Sequence, residues 1–436
     1  MKAMYKRVLS FLFVALSLPI FAQIEDIKVM TYNLMWFKTS SAPCNHSVGS
    51  QQRDNDLKNI VAYVAPDILV VNEFGTNPVN ALVVMADILN VDGITHFNRA
   101  TNNFSGSSIA NMLFYNQDKL TLDFQDEVDL DLNSFPLVRA IDYYQLYVND
   151  AALGQAGVDT AFIGIFAAHL KAGNGAANGA ERAKATAAVM DYIDNNVSID
   201  NILFTGDLNV YTSSESAFQN LVNYTANPSI SFNDPENQLG SWNNNSNFAA
   251  VHTQSTHSSS SGCFSSGGMD DRFDFILSSD AISNNTRKVA IADYYAVGQD
   301  GSFFNTSLNT NNNFVVPSYI ASALYNFSDH LPVVMDLEAS VSGLGENSYA
   351  QMRQSWSFVN PARQNIKISL QGRLSEEALD ISILNLSGKI VHQLKTKASR
   401  NLSIDCSRWP QGVYIISLTN GQDFRESRKV IVPWNC

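Results

Sequence analysis

Acidic, amide and histidine side chains recur where short apolar runs of the sequence begin or end. Asn33, Glu73 and His169 each follow or close such a run. The other members are Asp207 and Asn209 in Gly-Asp-Leu-Asn, Asp274 in Asp-Arg-Phe-Asp, and the triplet Ser328-Asp329-His330. Carboxylate and amide oxygens bind hard divalent cations, and histidine transfers protons near neutral pH. The set therefore suits hydrolysis of a phosphate ester assisted by a cation.

Each of these residues also has an ordinary structural explanation. An Asn after a strand commonly forms a turn, a single Glu there is usually solvated, and a His beside an apolar run is often a core residue. Only convergence of the whole set would make it a site. In α/β sheets ligands bind outside the carboxyl ends of the strands, where residues distant in sequence meet.

Strand and helix patterns alternate through the first three quarters of the chain. Residues 27–32 and 68–71 are apolar and rich in branched side chains, as in buried strands. Residues 54–65 have apolar side chains at helical spacing, and Pro66 ends that helix. Further strands are predicted at 161–168, 201–205, 273–277 and 331–337, and a further helix at 176–195. This alternation predicts layered α/β sheets.

The motifs and their order resemble the endonuclease/exonuclease/phosphatase superfamily. The resemblance covers roughly residues 24–337. It is carried by Thr-Tyr-Asn-Leu at 31–34, Glu73 after 67–71, Ala-His-Leu at 168–170, Gly-Asp-Leu-Asn at 206–209, Asp-Arg-Phe-Asp at 271–274 and Ser-Asp-His at 328–330. The resemblance implies a four-layer α/β sandwich, in which helices flank two packed mixed β-sheets.

The resemblance also implies a role for each residue. Glu73 is expected to be the principal ligand of Mg²⁺ or Mn²⁺, with Ca²⁺ as an alternative; Asn33 lies beside it and Asp329 completes the shell. His330 corresponds to the essential histidine and Asp274 to the acid that orients it. The remaining expected site residues are Asp207 and Asn209, which position the attacking water and the phosphate oxygens, and His169, a donor to the phosphate or leaving group.

Two positions fit the family pattern loosely. Arg139 could match an arginine that contacts phosphate in some members, and it could equally be a surface arginine. Met35 stands two residues after Asn33, where some relatives have an acidic or polar residue. The first motif therefore offers no second metal ligand.

Charge is distributed unevenly over the 436 residues. Residues 23–338 contain 13 Lys and Arg against 34 Asp and Glu, a net charge of −21, whereas residues 339–436 contain 12 against 7, or +5. An acidic body argues against passive binding of polyanions, which requires a basic surface. It is compatible with an enzyme that recruits cations to bind phosphate.

The N-terminal segment predicts export. Basic residues precede a short apolar run and an Ala-Gln pair, so residues 1–22 are expected to be a signal peptide. The alternative is a transmembrane anchor, but the run is shorter than the roughly 20 residues of a membrane-spanning helix. Export permits disulfides. Among Cys44, Cys263, Cys406 and Cys436, a Cys44–Cys263 pair is the preferred expectation.

The last part of the chain has a different pattern. Residues 339–357 have linker composition, and residues 358–436 contain short alternating strands, which predict a small all-β sandwich. Asn-Pro-Ala at 360–362, the strand pair at 381–391, Gly-Val-Tyr at 412–414 and the closing strand at 428–432 resemble the C-terminal sorting domain of the type IX secretion pathway of Bacteroidota. The alternative is a carbohydrate-binding sandwich.

These observations predict a secreted, metal-dependent phosphodiesterase, most consistent with an extracellular nuclease acting on DNA or RNA. The alternative is a phospholipid hydrolase resembling sphingomyelinases, or a hydrolase of small phosphoesters. The second alternative is a non-catalytic surface-binding protein on the same fold. The candidate rim loops at 242–247 and 253–261 are polar, which favours a soluble polymer. His252 and His257 lie in this region, where contact with substrate is one alternative and a solvated loop position is the more common one. The expected partners are a nucleic acid substrate and the type IX machinery, with no stable membrane insertion. The protein is expected to be a monomer, located outside the cell or on its outer surface.

Overall fold

A computed structural model describes most of the chain. It covers residues 23–39, 51–101, 108–150, 160–308 and 315–341, and after these residues 356–358, 362, 364–370, 378–385, 389–397, 401–419 and 425–432. The predicted signal peptide at 1–22 lies outside the described residues, as does most of the predicted linker.

The first sheet consists, in the described chain, of six strands in the order β11-β12-β1-β2-β4-β3. Strands β1 and β2 are parallel, and the other neighbours are antiparallel. The bounds are β1 Gln23–Phe37, β2 Ile68–Gly75, β3 Phe97–Arg99, β4 Ile109–Asn116, β11 Val289–Ala296 and β12 Val333–Val341.

The second sheet has the order β5-β6-β7-β8-β10-β9 over the same described ranges. Strands β7 and β8 are parallel, and the rest of this sheet is antiparallel. The bounds are β5 Leu120–Leu130, β6 Pro136–Val148, β7 Phe162–His169, β8 Ile202–Asp207, β9 Phe232–Asn233 and β10 Asp274–Ser279.

Helices cover the outer face of each sheet. Helices α1 (Gln51–Val64), α2 (Pro78–Val84) and α6 (Ser318–Phe327) pack on the first sheet, and α3 (Ala176–Asn196) and α4 (Ser216–Val222) pack on the second. The short elements are α5 (Asp280–Ser283), a π-helical turn at Met85–Leu89 and a 3₁₀ helix at Ser246–Val251.

Alternate residues of the central strands enter different cores, which explains their continuous apolar sequences. On β1, Ile27 and Val29 pack between the two sheets, whereas Met30 and Tyr32 pack under the helices. A strand buried on both faces requires apolar residues at every position. Helices, sheet, sheet and helices thus form the predicted four-layer α/β sandwich, and this prediction is confirmed.

The C-terminal region is an all-β sandwich, as predicted. A three-stranded sheet, β13-β14-β17, and a four-stranded sheet, β16-β15-β18-β19, enclose one core in the described residues. The bounds are β13 Trp356–Phe358, β14 Asn365–Leu370, β15 Leu379–Asn385, β16 Ile390–Thr396, β17 Asn401–Asp405, β18 Gly412–Thr419 and β19 Arg425–Val432.

Both ends of the predicted linker 339–357 require correction. Residues 339–341 belong to β12, because they pair with residues 23–25 of β1, and Ala339 and Val341 are buried. Trp356 pairs with Leu370 in the sandwich and lies in its core. The sandwich therefore begins at least two residues before the predicted boundary at 358.

The predicted Cys44–Cys263 pair can be tested only at Cys263. Cys263 is disulfide-bonded, and Cys44 lies outside the described residues, so their pairing stays a prediction. Cys406 is a free, buried thiol. Among the helices in the described ranges, none has both the length and the apolar character needed to cross a bilayer.

Candidate active site

The predicted site residues come from both sheets and meet at one end of the sandwich. The parallel strands β1 and β2 carry Asn33 and Glu73, and the parallel strands β7 and β8 end at His169 and Asp207. The antiparallel partners bring in the remaining residues: Asp274 begins β10 opposite Asp207, and Asp329 and His330 precede β12. The chain topology therefore produces the convergence that the sequence predicted.

The backbone is irregular where Glu73 enters the site. Glu73 has φ +54°, and the register of β2 shifts against both neighbouring strands at this point. Such bulges turn a side chain out of the sheet and are common beside active sites. The Glu73 carboxylate accepts a hydrogen bond from the backbone N–H of Trp36 at 3.1 Å. The irregular segment of β1 thereby fixes its position.

A tight turn places Asp207 and Asn209. Asn209, with φ +50°, donates its backbone N–H to Oδ1 of Asp207 at 3.0 Å, and its side-chain amide donates to the carbonyl of Leu170. Gly206 has φ +121°, and a Cβ there would lie 2.0 Å from the carbonyl oxygen of Ala168. Only glycine fits this position.

Asn33 connects the carboxylates of the two sheets. Its Nδ2 donates to Oδ2 of Asp207 at 3.0 Å and to Oε1 of Glu73 at 3.3 Å. Its Oδ1 accepts from the N–H of Met35 at 2.9 Å. The amide therefore presents donors to both carboxylates, and its place beside a metal ion stays a prediction.

His330 is held by Asp274 on the side away from the centre of the site. Nδ1 of His330 lies 2.7 Å from Oδ2 of Asp274, while Nε2 lies 3.8 Å from Asp207 and 4.0 Å from Asp329. Burial acts to lower the pKa of His330, but Asp274, Asp207 and Asp329 raise it well above its ordinary value. These acids therefore favour the protonated form of His330 over the neutral form.

The second histidine has the opposite character. Burial lowers the pKa of His169 well below its ordinary value, and Arg139 lowers it further. Its Nε2 lies 3.6 Å from Asp207 and 3.8 Å from Glu73. The two histidines that face Asp207 thus have pKa values shifted in opposite directions, a difference typical of sites that divide acid and base functions.

Arg139 lies beside the site and not on remote surface. Together with Glu73 and His169 it lines a cleft between β4, β6 and β7. Its guanidinium donates to the carbonyl of Leu170 at 2.6 Å. Burial lowers the pKa of Arg139, while Asp207 and Glu73 raise it. It is therefore placed to contact an anion in this cleft.

The donor set fits a hard cation held by few protein ligands. Burial raises the pKa of Glu73, and the nearby Asp329 raises it further; burial also raises the pKa of Asp207 to about 7. In the described residues no three His, Cys, Asp or Glu side chains gather into a metal-binding group. Mg²⁺ commonly uses one or two carboxylates and keeps several waters. Glu73 and Asp329 are the residues that would hold it.

Sequence reasoning missed Arg53, a buried residue of α1. One guanidinium nitrogen donates to the carbonyls of Leu34, Met35 and Phe327, at 2.7–3.0 Å. It therefore joins the segment after Asn33 to the residue before Ser328. The signal was present in the sequence, because Arg53 continues the helical spacing of Leu57, Ile60 and Val64.

Sequence reasoning also missed Gln254 and misjudged two histidines. Nε2 of Gln254 lies 2.7 Å from Nε2 of His330, and no sequence signal separates it from its polar neighbours. His252 and His257 are buried, not solvated. His252 contacts the carbonyls of Trp242 and Met269, and His257 stacks between two aromatic rings.

An apolar surface precedes Arg139 along the chain, outside the two loops at 242–247 and 253–261 that the sequence predicts as polar rims. The tip of the β5–β6 hairpin exposes Leu130, Leu132, Phe135 and Val138, with Phe135 67% exposed. Arg139 follows this hairpin tip directly. Trp242, placed in a polar rim loop, is instead buried against Phe218 and Phe275.

Comparison with known proteins gave one family model and a set of similar folds. The model described as the secretion system C-terminal sorting domain matches residues 358–433, as the sequence predicted. No curated protein matches the chain by sequence.

Proteins of the superfamily that the sequence resembles are among the similar solved structures. An endonuclease/exonuclease/phosphatase from Bacteroides vulgatus is 16% identical, with a TM-score of 0.46 over 72% of this chain and 100% of that one. The human Nocturnin catalytic domain is 13% identical, with a TM-score of 0.45 over 73% and 98%. D. rerio TDP2, complexed with single strand DNA product, is 11% identical, with a TM-score of 0.43 over 72% and 98%.

Proposed function

We propose that this protein is an exported phosphodiesterase that requires a divalent cation. The observation that carries the proposal is the convergence of Glu73, Asp207 and Asp329 with two histidines, His169 and His330, in one site. Each of the three carboxylates lies within 4 Å of at least one of the two histidines, and the site is largely buried. Packing alone gives no reason to gather so many charged groups there, because buried charges are costly unless compensated.

The reaction can be assigned to groups of the chain. Asp207, with a pKa of about 7, is suited to orient and deprotonate the attacking water, and Asn209 fixes its carboxylate. His330, protonated and held by Asp274, is suited to donate to a phosphate oxygen. His169 and Arg139 lie on the cleft side and would contact the phosphate or leaving group. A cation on Glu73 and Asp329 would supply charge stabilisation of the phosphate.

The leading substrate class is nucleic acid, as the sequence resemblance implies. The cleft beside His169 is lined by residues of both sheets, among them Glu73 and Arg139. The acidic body does not attract a polyanion by itself. Binding would therefore depend on the cation and Arg139, and we expect it to be weak at low cation concentration.

A phospholipid is the second candidate, and one observation favours it. The apolar hairpin tip adjoins Arg139 along the chain, and Arg139 lines the cleft. Exposed apolar side chains next to a phosphate-binding cleft suit an enzyme that works at a lipid surface. Acidic residues flank this tip on β5, which favours zwitterionic over anionic lipids.

Location follows from the C-terminal match. The sorting domain at 358–433 supports export by the secretion system that reads such domains, to the cell surface or the medium. We propose that the protein acts there as a monomer.

One set of assays tests the proposal. The purified protein is incubated with plasmid DNA, RNA, sphingomyelin vesicles and bis(p-nitrophenyl) phosphate, with Mg²⁺, Mn²⁺, Ca²⁺ or EDTA. We expect cation-dependent cleavage of the small diester and of one natural substrate class. Failure to cleave any diester with any of these cations would overturn the proposal. Cleavage of sphingomyelin alone would overturn the choice of nucleic acid.

A further inference from the structure

Gln254 reaches the catalytic centre from a segment that none of the predicted motifs contains. Its amide Nε2 is 2.7 Å from Nε2 of His330 and 3.4 Å from Oδ2 of Asp329. It is half-buried, whereas the residues on either side of it are buried. Its side chain is thus the part of this segment that reaches the surface of the site.

The backbone fixes where that side chain can go. Gln254 exchanges hydrogen bonds with Asp271 in both directions, at 3.0 and 2.8 Å. Its neighbour Thr253 accepts at Oγ1 from the backbone N–H of Asp274 and binds Leu331 through its carbonyl. The segment is therefore joined to both strands that carry the His330–Asp274 pair. A side chain supported in this way is held in a defined geometry.

The nitrogen that Gln254 contacts is the one that must meet the substrate. Nδ1 of His330 is occupied by Asp274 at 2.7 Å. Only Nε2 is left to face a phosphate oxygen. An oxygen bound there would lie within hydrogen-bond reach of an amide that is already 2.7 Å from the same nitrogen.

We propose that Gln254 is a further catalytic residue, whose amide N–H donates to the same phosphate oxygen as His330. This inference rests on the proposed function of the site. The amide adds a neutral donor where Glu73, Asp207 and Asp329 already place much negative charge. A neutral donor stabilises the developing charge on the phosphate without adding another charged group to the centre. A protonated His330 and the amide of Gln254 are both donors, so in the absence of substrate their 2.7 Å contact is not a hydrogen bond, and a shared phosphate oxygen would supply the acceptor for both.

The experiment compares three substitutions with the parent. Gln254→Met keeps the length of the side chain and removes the donor, Gln254→Ala removes the side chain, and Gln254→Glu offers only an acceptor. For bis(p-nitrophenyl) phosphate we expect Gln254→Met to lose on the order of 10²-fold in kcat, as for loss of one preorganised donor. Gln254→Glu should lose more, because its carboxylate would face both the phosphate and Asp329.

The matched control is Gln299→Ala. Gln299 is also half-buried, and its amide donates to the carbonyl of His252 at 2.7 Å. His252 belongs to the same segment as Gln254 but lies away from the site. We expect this control to keep the kcat of the parent. Any change in its kcat measures the general effect of loosening the segment around His252. A loss in Gln299→Ala equal to that in Gln254→Met would overturn the proposal.

Phosphate binding provides a readout that does not need turnover. Inorganic phosphate, titrated calorimetrically in the presence of Mg²⁺, should bind Gln254→Met roughly tenfold more weakly than the parent, on the scale of one lost hydrogen bond. Unchanged phosphate affinity together with unchanged kcat would overturn the role of Gln254. If the parent protein binds phosphate but cleaves no diester, the proposed function is contradicted. The role of Gln254 in phosphate binding is then still tested by the difference in phosphate affinity between Gln254→Met and the parent.

Discussion

Asn33 of the first sheet donates from Nδ2 to Oδ2 of Asp207 in the second sheet, at 3.0 Å. The bond crosses between the two halves of the sandwich at the place where the proposed chemistry occurs. The same nitrogen lies 3.3 Å from Glu73 and 3.5 Å from His330. The geometry of the site therefore depends on how the two sheets pack.

Asp274→Asn should separate the role of the histidine from its presence. The amide can still contact Nδ1 of His330 but no longer stabilises the imidazolium, so we expect kcat/KM to fall on the order of 10²–10⁴-fold. The measurement is steady-state kinetics on a small diester, with circular dichroism melting to confirm the fold. Asp336→Asn, which removes an acid that pairs with Lys28 away from the site, is the control. Parent-like rates in Asp274→Asn would contradict the assigned pair.

Glu73→Gln should weaken cation binding. A cation that binds only the folded protein raises its melting temperature by mass action, so Mg²⁺ should stabilise the parent. The substitution removes one ligand charge and should reduce this stabilisation at every Mg²⁺ concentration. Glu25→Gln, at a surface pair with Lys119, should respond to Mg²⁺ as the parent does. Equal Mg²⁺ responses in Glu73→Gln and the parent would rule out Glu73 as a ligand.

Asp271→Asn should change stability in a pH-dependent way. Burial raises the pKa of Asp271 from 3.8 to about 6. Because the folded pKa is the higher one, this group favours folding below about pH 4, and that contribution is lost as pH rises through 6. The neutral amide keeps an acceptor for Asn243. The variant should therefore melt like the parent near pH 4 and several degrees higher above pH 7.

The control for this comparison is Asp300→Asn, on a surface turn. It removes one negative charge without removing a buried one, and should change the melting temperature little at either pH. If Asp271→Asn were no more stable than the parent above pH 7, the raised pKa would be contradicted.

The hairpin tip should decide between lipid and soluble substrates. Leu132→Asp combined with Phe135→Asp places charges on the two most exposed apolar side chains of the tip. For a lipid enzyme, cleavage of phosphatidylcholine or sphingomyelin vesicles should fall at least tenfold while cleavage of the small diester is kept. Leu239→Asp, also on exposed surface, is the control. Equal losses on vesicles and on the small diester would argue against a docking role.

Removal of the C-terminal sandwich should stop export and leave the fold of the first domain. β12 ends at Val341, so deletion of residues 342–436 leaves both sheets of the four-layer α/β sandwich complete. In a host with the corresponding secretion system, we expect the truncated protein to accumulate in the periplasm, measured by fractionation and immunoblotting. Lys395→Gln, on the surface of the intact domain, should be exported. A truncated protein that reached the medium would contradict the sorting role.

The sequence predicted the elements whose signals are local. The strands ending at His169 and Asp207 are continuous apolar runs, because both of their faces are buried, and such runs can be recognised without knowing their neighbours. The polar residues after them follow the chain order of a known family. The convergence of Asp274 and His330 then requires only that the sheets form as in that family.

The features that the sequence did not predict depend on contacts between distant segments. Gln254 matters because an isolated bridge joins it to His330, and Arg53 because three carbonyls surround it. His252 is polar in sequence yet wholly buried, since two carbonyls satisfy its ring. The exposed hairpin tip was missed because alternating acidic and apolar residues describe a half-buried strand as well as a protruding one.

Strand β1 lies between β2 and β12, and its residues 23–31 pair with 333–341 at the far end of the same domain. β1 is the first strand of this sheet along the chain, and its pairing is complete only when β12, the last strand of the sheet, has formed. His330 lies just before β12. A chain that is still being made or threaded across a membrane cannot assemble the centre. The candidate site therefore assembles only after the last strand of this sheet has joined the first.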